Sequence, residues 1–94
     1  MGLAIDVVKR SGKRPTEAFD REKLLRSIVA ACLSVRTPEG EAESTAGLVT
    51  DHVTLWVVTK PAVTSSDLRR QASTHLQRYH PEAAYFYPRH KIII

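Results

Sequence analysis

Four cations fall within six residues near the start of the chain: Lys9, Arg10, Lys13 and Arg14. Cations at this density suit the binding of phosphate, whether on a mononucleotide or on nucleic acid. They flank Ser11-Gly12, a turn dipeptide whose glycine accepts the positive φ that tight hairpins require. With a two-residue turn there, Arg10 stands opposite Lys13 and Lys9 opposite Arg14. Like charges directly opposite destabilise a two-stranded ribbon. A bound polyanion relieves the repulsion, and backbone donors of the turn add to its grip. Strand alternation puts Lys9 on the side of Leu3, Ile5 and Val7, facing the rest of the protein. A lysine pointing inward beneath a hairpin suggests phosphate held in a cleft; an ordinary solvated charged loop is the competing reading.

The other chemistry-bearing residues form no constellation. The four histidines, His52, His75, His80 and His90, lack the i,i+4 spacing of a zinc-binding helix. Core, surface or capping roles are expected of them. One cysteine, Cys32, can form neither an intramolecular disulfide nor a thiolate zinc site. It lies on an apolar helix face, where an inert buried thiol is expected. No GxSxG elbow and no GxxxxGK[ST] phosphate loop occurs. No catalytic residues and no metal ligands are therefore assigned, and the chain reads as a non-enzyme.

Ninety-four residues make one domain, 1–94, large enough for a single modest core but not for a deep catalytic cavity. With 43% hydrophobic and 26% charged residues, disorder is not expected. The net charge of +4 is unevenly spread. Residues 1–26 carry seven Lys/Arg against four acids, residues 37–67 one base against five acids, and residues 68–94 five bases against Glu82. If the basic ends meet in space, they form one cationic surface. No apolar run spans a membrane, and Asp6 and Lys9 interrupt any signal-peptide core. Together with the cysteine count this leads to the expectation of a cytoplasmic protein without membrane contact.

The elements that must position the cations follow from periodicity. Leu3–Val8 alternates as a strand, and residues 13–18 form the returning one, with Pro15 restricting it to an edge or a bulge. Asp20 caps a first helix, with Leu24, Ile28, Ala31 and Cys32 on one face. Thr37-Pro38-Glu39-Gly40 is a turn. A second helix starts near Glu41, with Ala42, Ala46, Val49, Val53 and Trp56 in one stripe; the length of that stripe outweighs the strand-like run VTLWVVT at 53–59. Ala62-Val63 is a short extended piece. Thr64, Ser65 and Ser66 offer caps to a third helix lined by Leu68, Ala72, Leu76 and Tyr79. Pro81 starts a short fourth helix, which kinks or ends near Pro88. Strands grouped before helices argue for an α+β fold.

These segments resemble the ATP-cone, the nucleotide-binding regulatory module of ribonucleotide reductases and of the bacterial repressor of their genes. VVKRSGK at 7–13 and FDREKLLRSI at 19–28 match its opening pattern through Val7, Lys9, Arg10, Gly12, Phe19, Asp20, Lys23 and Leu24. VTSSDL at 63–68 is similar to the start of its third helix, and HPEAAYFY at 80–87 to its His-Pro-Glu segment. The likeness covers about residues 5–91.

The resemblance implies a small mixed sheet, mainly an N-terminal β-hairpin, capping a four-helix bundle, with ATP or dATP between hairpin and helices. It implies that Val7 and Val8 contact the nucleotide and that Lys9 and Arg10 hold phosphates. Glu17, Asp20 and Lys23 fall near the base or ribose. Thr64 or Ser65, with Arg69, fall where the third helix approaches the phosphates, and Lys91 takes the place of a terminal basic residue. Mg²⁺, where present, is shared among the phosphate oxygens. The implied role is allosteric sensing, passed on by self-association or by a ribonucleotide-reductase-like partner. The apolar tail Ile92-Ile93-Ile94 and Trp56 are contact candidates. The alternative is a small basic nucleic-acid-binding protein or transcription regulator, which uses the same cations along an extended backbone.

Overall fold

The computed structural model describes residues 3–8 and 17–87, with side chains from Ala18 onward. The Ser11-Gly12 turn, Pro15, Pro88 and the 92–94 tail lie outside the described residues. The element order is β1 (Leu3–Val8), β2 (Glu17–Phe19), α1 (Arg21–Ser34), α2 (Glu39–Val57), β3 (Ala62–Thr64), α3 (Ser65–Tyr79) and α4 (Pro81–Phe86). The class is mainly helical with short strands.

The strands are ordered β2-β1-β3, so β1 is central. It pairs antiparallel with β2, Val7 opposite Glu17 and Asp6 opposite Ala18, with a shift of register before Leu3 meets Phe19. It pairs parallel with β3, setting Asp6, Val7 and Val8 opposite Ala62, Val63 and Thr64. Two expectations change here. Continued without a bulge, a two-residue turn at Ser11-Gly12 sets Val7 opposite Thr16, whereas Glu17 stands there; one extra residue on the returning strand, the bulge expected near Pro15, accounts for that offset. The extended piece at 62–64 is a full sheet member. Its parallel partner is 56 positions earlier, a pairing that local periodicity does not encode.

Each helix begins and ends for a local reason. Asp20 Oδ1 accepts from the backbone N–H of Glu22 at 3.0 Å and of Lys23 at 3.3 Å, capping α1 as expected. At the other end Thr37 N–H donates to Cys32 C=O at 3.1 Å and Arg36 N–H to Leu33 C=O at 3.0 Å. Those two bonds are a Schellman stop, and Arg36 takes its left-handed position at φ 63°. α2 starts at Glu39, two residues before the expected Glu41. Pro38 precedes it with no side-chain cap, and Glu39 and Glu41 supply first-turn negative charge instead. The strand-like run is helical through Val57, because burying Val49, Val53 and Val57 along one stripe outweighs the β-propensity of the same residues. Val57 rather than Trp56 completes that stripe; Trp56 packs at its margin, with Lys60 Nζ 5.5 Å from the ring centroid.

Helix α1 packs on α2, α2 on α3, α3 on α4, and α4 returns to α1. Leu24, Ile28, Ala31, Cys32, Leu68, Ala72 and Leu76 are buried as their spacing predicts, whereas Tyr79 is exposed. Phe19 enters the same core from β2 and Tyr87 from the end of α4. Burial pushes the Cys32 thiol above its ordinary pKa, in keeping with an inert role.

The left-handed conformation costs a non-glycine residue about 1–2 kcal/mol, while glycine costs about 0.4–1 kcal/mol in unfolded-chain entropy. Arg36→Gly is therefore expected to stabilise by about 0.5–1 kcal/mol, a rise in Tm of about 2–8 °C. Arg36→Val is expected to lower Tm. Thermal unfolding of the three proteins checks both signs.

Candidate functional site

The sequence-predicted site residues gather first around the start of α3. Thr64 Oγ1 accepts from the Asp67 backbone N–H at 2.9 Å, and Asp67 Oδ2 accepts from the Thr64 N–H at 3.1 Å. This reciprocal capping box holds the chain at the point where β3 becomes helix. The Asp67 carboxyl is held below its ordinary pKa by the Thr64 backbone bond, then by the Thr64 hydroxyl, with Arg70 and Lys60 adding smaller effects. Arg70 Nη1 lies 3.6 Å from Asp67 Oδ1 and offsets part of its negative charge. Ser65 is buried, and Arg69 is half-buried one turn further on.

Arg69 belongs to a second cluster. Tyr87 is buried at 2% exposure, and its hydroxyl lies 2.9 Å from Ser27 Oγ. Ser27 in turn donates to Leu24 C=O at 2.7 Å. Burial pushes the Tyr87 phenol up to about 12, against smaller downward effects of the Ser27 bond and the Arg69 charge. The phenol is thus a neutral tie between the end of α4 and α1, beside the arginine of α3. Sequence reasoning missed Ser27. The signal was a hydroxyl inside the apolar stripe between Leu24 and Ala31.

Strand register fixes the rest. Val8 stands opposite Thr64, so Lys9 follows directly on the residue paired with the α3 cap. Val7 is flanked by Glu17 on one side and Val63 on the other, one row across the sheet. Asp20 and Lys23 lie instead at the start of α1, which leaves the sheet beside Phe19, opposite Leu3. The two helix starts therefore leave from opposite ends of β1, about 16 Å apart along the strand. An elongated ligand lying along β1 meets both; a compact one meets only the Thr64 end. Lys9, Arg10 and Lys91 are outside the described residues.

A cavity of about 440 Å³ lies elsewhere, lined by Thr37, Gly40, Glu41, Ser44, Thr45, Tyr79 and His80. Tyr79 ends the helix whose start carries Thr64, so some 20 Å of α3 separates the two places. His80 fills a capping role there. Its Nδ1 accepts weakly from the Ala83 N–H at 3.5 Å, which leaves Nε2–H to donate to Thr37 Oγ1 at 2.6 Å. No group of three or more metal-ligating side chains occurs among the described residues. No helix among them is long and apolar enough to cross a membrane.

Comparison with known proteins gives one relationship of note. The chain is similar to the transcriptional repressor NrdR of Thermosynechococcus vestitus, at 40% identity over 84 residues. The alignment takes in 88% of this chain and 48% of that protein, so the chain spans about half the length of the relative it matches. That relative is named as a repressor, not as an enzyme. No family model matches the chain, and no solved structure matches it.

The capping box makes Thr64 a stability residue as well as a candidate ligand contact. Thr64→Ala is expected to cost about 1 kcal/mol, seen as a Tm lowered by about 4–8 °C. Asp67→Asn should lower Tm at neutral pH, where the carboxylate is charged. The wild-type advantage over Asp67→Asn is present above the ordinary carboxyl pKa of 3.8 and is lost as pH falls below it. Melting both variants beside wild type at pH values on either side of that point checks magnitude and sign.

Proposed function

We propose that this chain is an ATP-cone: a non-catalytic module that binds ATP or dATP and passes the signal to a partner or to a second copy of itself. One observation carries the reading. The parallel register sets Val8, the residue that precedes the basic run 9–14 in sequence, opposite the cap of α3, a helix start whose first N–H groups lack helical partners. Phosphates held there meet Lys9 and Arg10 from one side, and Ser65, Thr64 and Arg69 from the other. The base and ribose lie along β1 past Val7 and Glu17, toward Asp20 and Lys23. On this reading the hairpin caps the helices and closes over the nucleotide, and Lys91 approaches from the C-terminal side. Mg²⁺, when bound, neutralises charge between phosphate oxygens; no residue of this chain is assigned to it. The similarity to the transcriptional repressor NrdR supports a regulatory role.

A second reading has its own support, since a relative named as a transcriptional repressor acts on transcription. In that case the same basic residues contact a nucleic-acid backbone. The two readings differ in how binding energy is distributed. A nucleotide site concentrates it in a few charge-assisted bonds worth about 1.5–3 kcal/mol each. A polyelectrolyte contact spreads it over many cations and loses affinity steeply with salt.

Isothermal titration with ATP, dATP, GTP and a short single-stranded oligonucleotide separates them. Lys9→Ala or Arg10→Ala should weaken ATP binding about tenfold or more, whereas Arg36→Ala and Arg78→Ala should do little. ATP or dATP at about one hundred times its Kd should add about 2.7 kcal/mol of stability, a Tm rise of about 10–20 °C, with GTP giving less. Equal, mild losses across all four variants, with the oligonucleotide binding more tightly than ATP, would favour the nucleic-acid reading. No shift with millimolar adenine nucleotide would contradict the ATP-cone reading.

A further inference from the structure

His52 of α2 and His75 of α3 lie 23 positions apart in sequence and meet face to face. Their ring centroids are 4.8 Å apart and their planes within 6° of parallel. Tyr79, one turn beyond His75, closes the group: its hydroxyl lies 2.9 Å from His52 Nε2, and its ring centroid 6.0 Å from that of His52. Both imidazoles are half-buried. Together the three rings form a patch of the α2–α3 seam that is aromatic rather than aliphatic. Nothing proposed for the nucleotide site uses them.

The charge around the stack is one-sided. Arg78 of α3 acts on His75, and His52 is its other titratable neighbour. Asp51 adjoins His52 in sequence, but its carboxylate pairs with Arg21 of α1. Among the described residues no carboxylate forms an ion pair with either ring. A first proton on the pair is tolerated, because an imidazolium stacks on a neutral imidazole. A second proton places two cations face to face beside Arg78, with no anion to separate them. At 4.8 Å the two like charges repel even with the full screening of water.

We propose that the His52–His75 stack is a proton-sensitive clasp between α2 and α3, closed while at least one imidazole is neutral and opened when both are charged. Burial, then His52, then Arg78 hold His75 below the ordinary histidine value of 6.5. The unfolded chain therefore takes up this proton more readily than the folded one. The stability contributed by the clasp is full above 6.5 and is lost as pH falls through the lowered value.

The test is a per-residue NMR titration of the imidazole carbons in the whole 94-residue chain, with melting curves over the same pH range, for wild type, His52→Gln and His75→Gln. In wild type His75 should titrate below the ordinary value. His52→Gln should move it upward by about half a pH unit. Wild-type Tm should fall more steeply than that of either variant between about pH 7 and about pH 5. If His75 titrates at the same pH with and without His52, or if the three proteins lose Tm in parallel on acidification, the clasp does not exist.

Discussion

The parallel pairing of β1 with β3 is the constraint on which the remaining geometry rests. The two strands come from opposite halves of the chain, and Val8 opposite Thr64 is where they fix each other. Helix α3 starts at the next residue, so its direction and the position of its first turn follow from that pair. Because β1 is central, the same strand also holds β2, and through Phe19 the entry to α1. A strand paired on one edge only would leave one of the two helix starts unanchored.

Below the sheet, apolar burial and a few polar ties do different work. The stripes of α1, α2 and α3 supply the non-directional part of the stability through side chains such as Leu24, Val53 and Leu76. Direction comes from hydrogen bonds at element ends: Asp20 at α1, Thr64 and Asp67 at α3, His80 at α4, and the Ser27–Tyr87 bond that ties the last helix to the first. Buried polar atoms are expensive unless paired. The pairing of Tyr87 with Ser27 therefore fixes one arrangement of α4 on α1 rather than merely allowing it. Arg69 stands beside this tie and on the helix that carries Thr64. On the proposed reading, phosphate bound at the start of α3 has through Arg69 a physical route to the α1–α4 contact.

Much of this was legible in the sequence wherever the signal is local. Asp20 before an apolar stripe, the cap candidates Thr64, Ser65 and Ser66 ahead of Asp67, and Pro81 after His80 each announce a helix start, and each helix starts there. The β-branched run from Val53 was legible too, because its stripe extended back to Ala42. What was not legible depends on residues far apart in the chain. The partner of Ala62–Thr64, the Ser27–Tyr87 bond and the His52–His75 stack are contacts across 23 to 60 positions. Periodicity specifies a face but not its partner. Turn chemistry at Ser11-Gly12 does not by itself specify the hairpin register, because one extra residue on the returning strand shifts it, and the ladder places Glu17 beside Val7. For the site itself, the cations and caps were visible as residue types. That Val8, the residue before the first of those cations, stands opposite the cap of α3 became visible only through the register of β1 and β3.

The central claim is that an adenine nucleotide binds where the end of β1 meets the start of α3. Backbone amide mapping by NMR during titration with ATP tests it most directly, because it reports position without any substitution. The account predicts that the largest changes fall at Val7 and Val8, along Thr64–Leu68, and with smaller amplitude at Asp20–Lys23, while Gly40–Thr45 stays still. Changes centred on Gly40, Ser44, Tyr79 and His80, the cavity at the far end of α3, would contradict it.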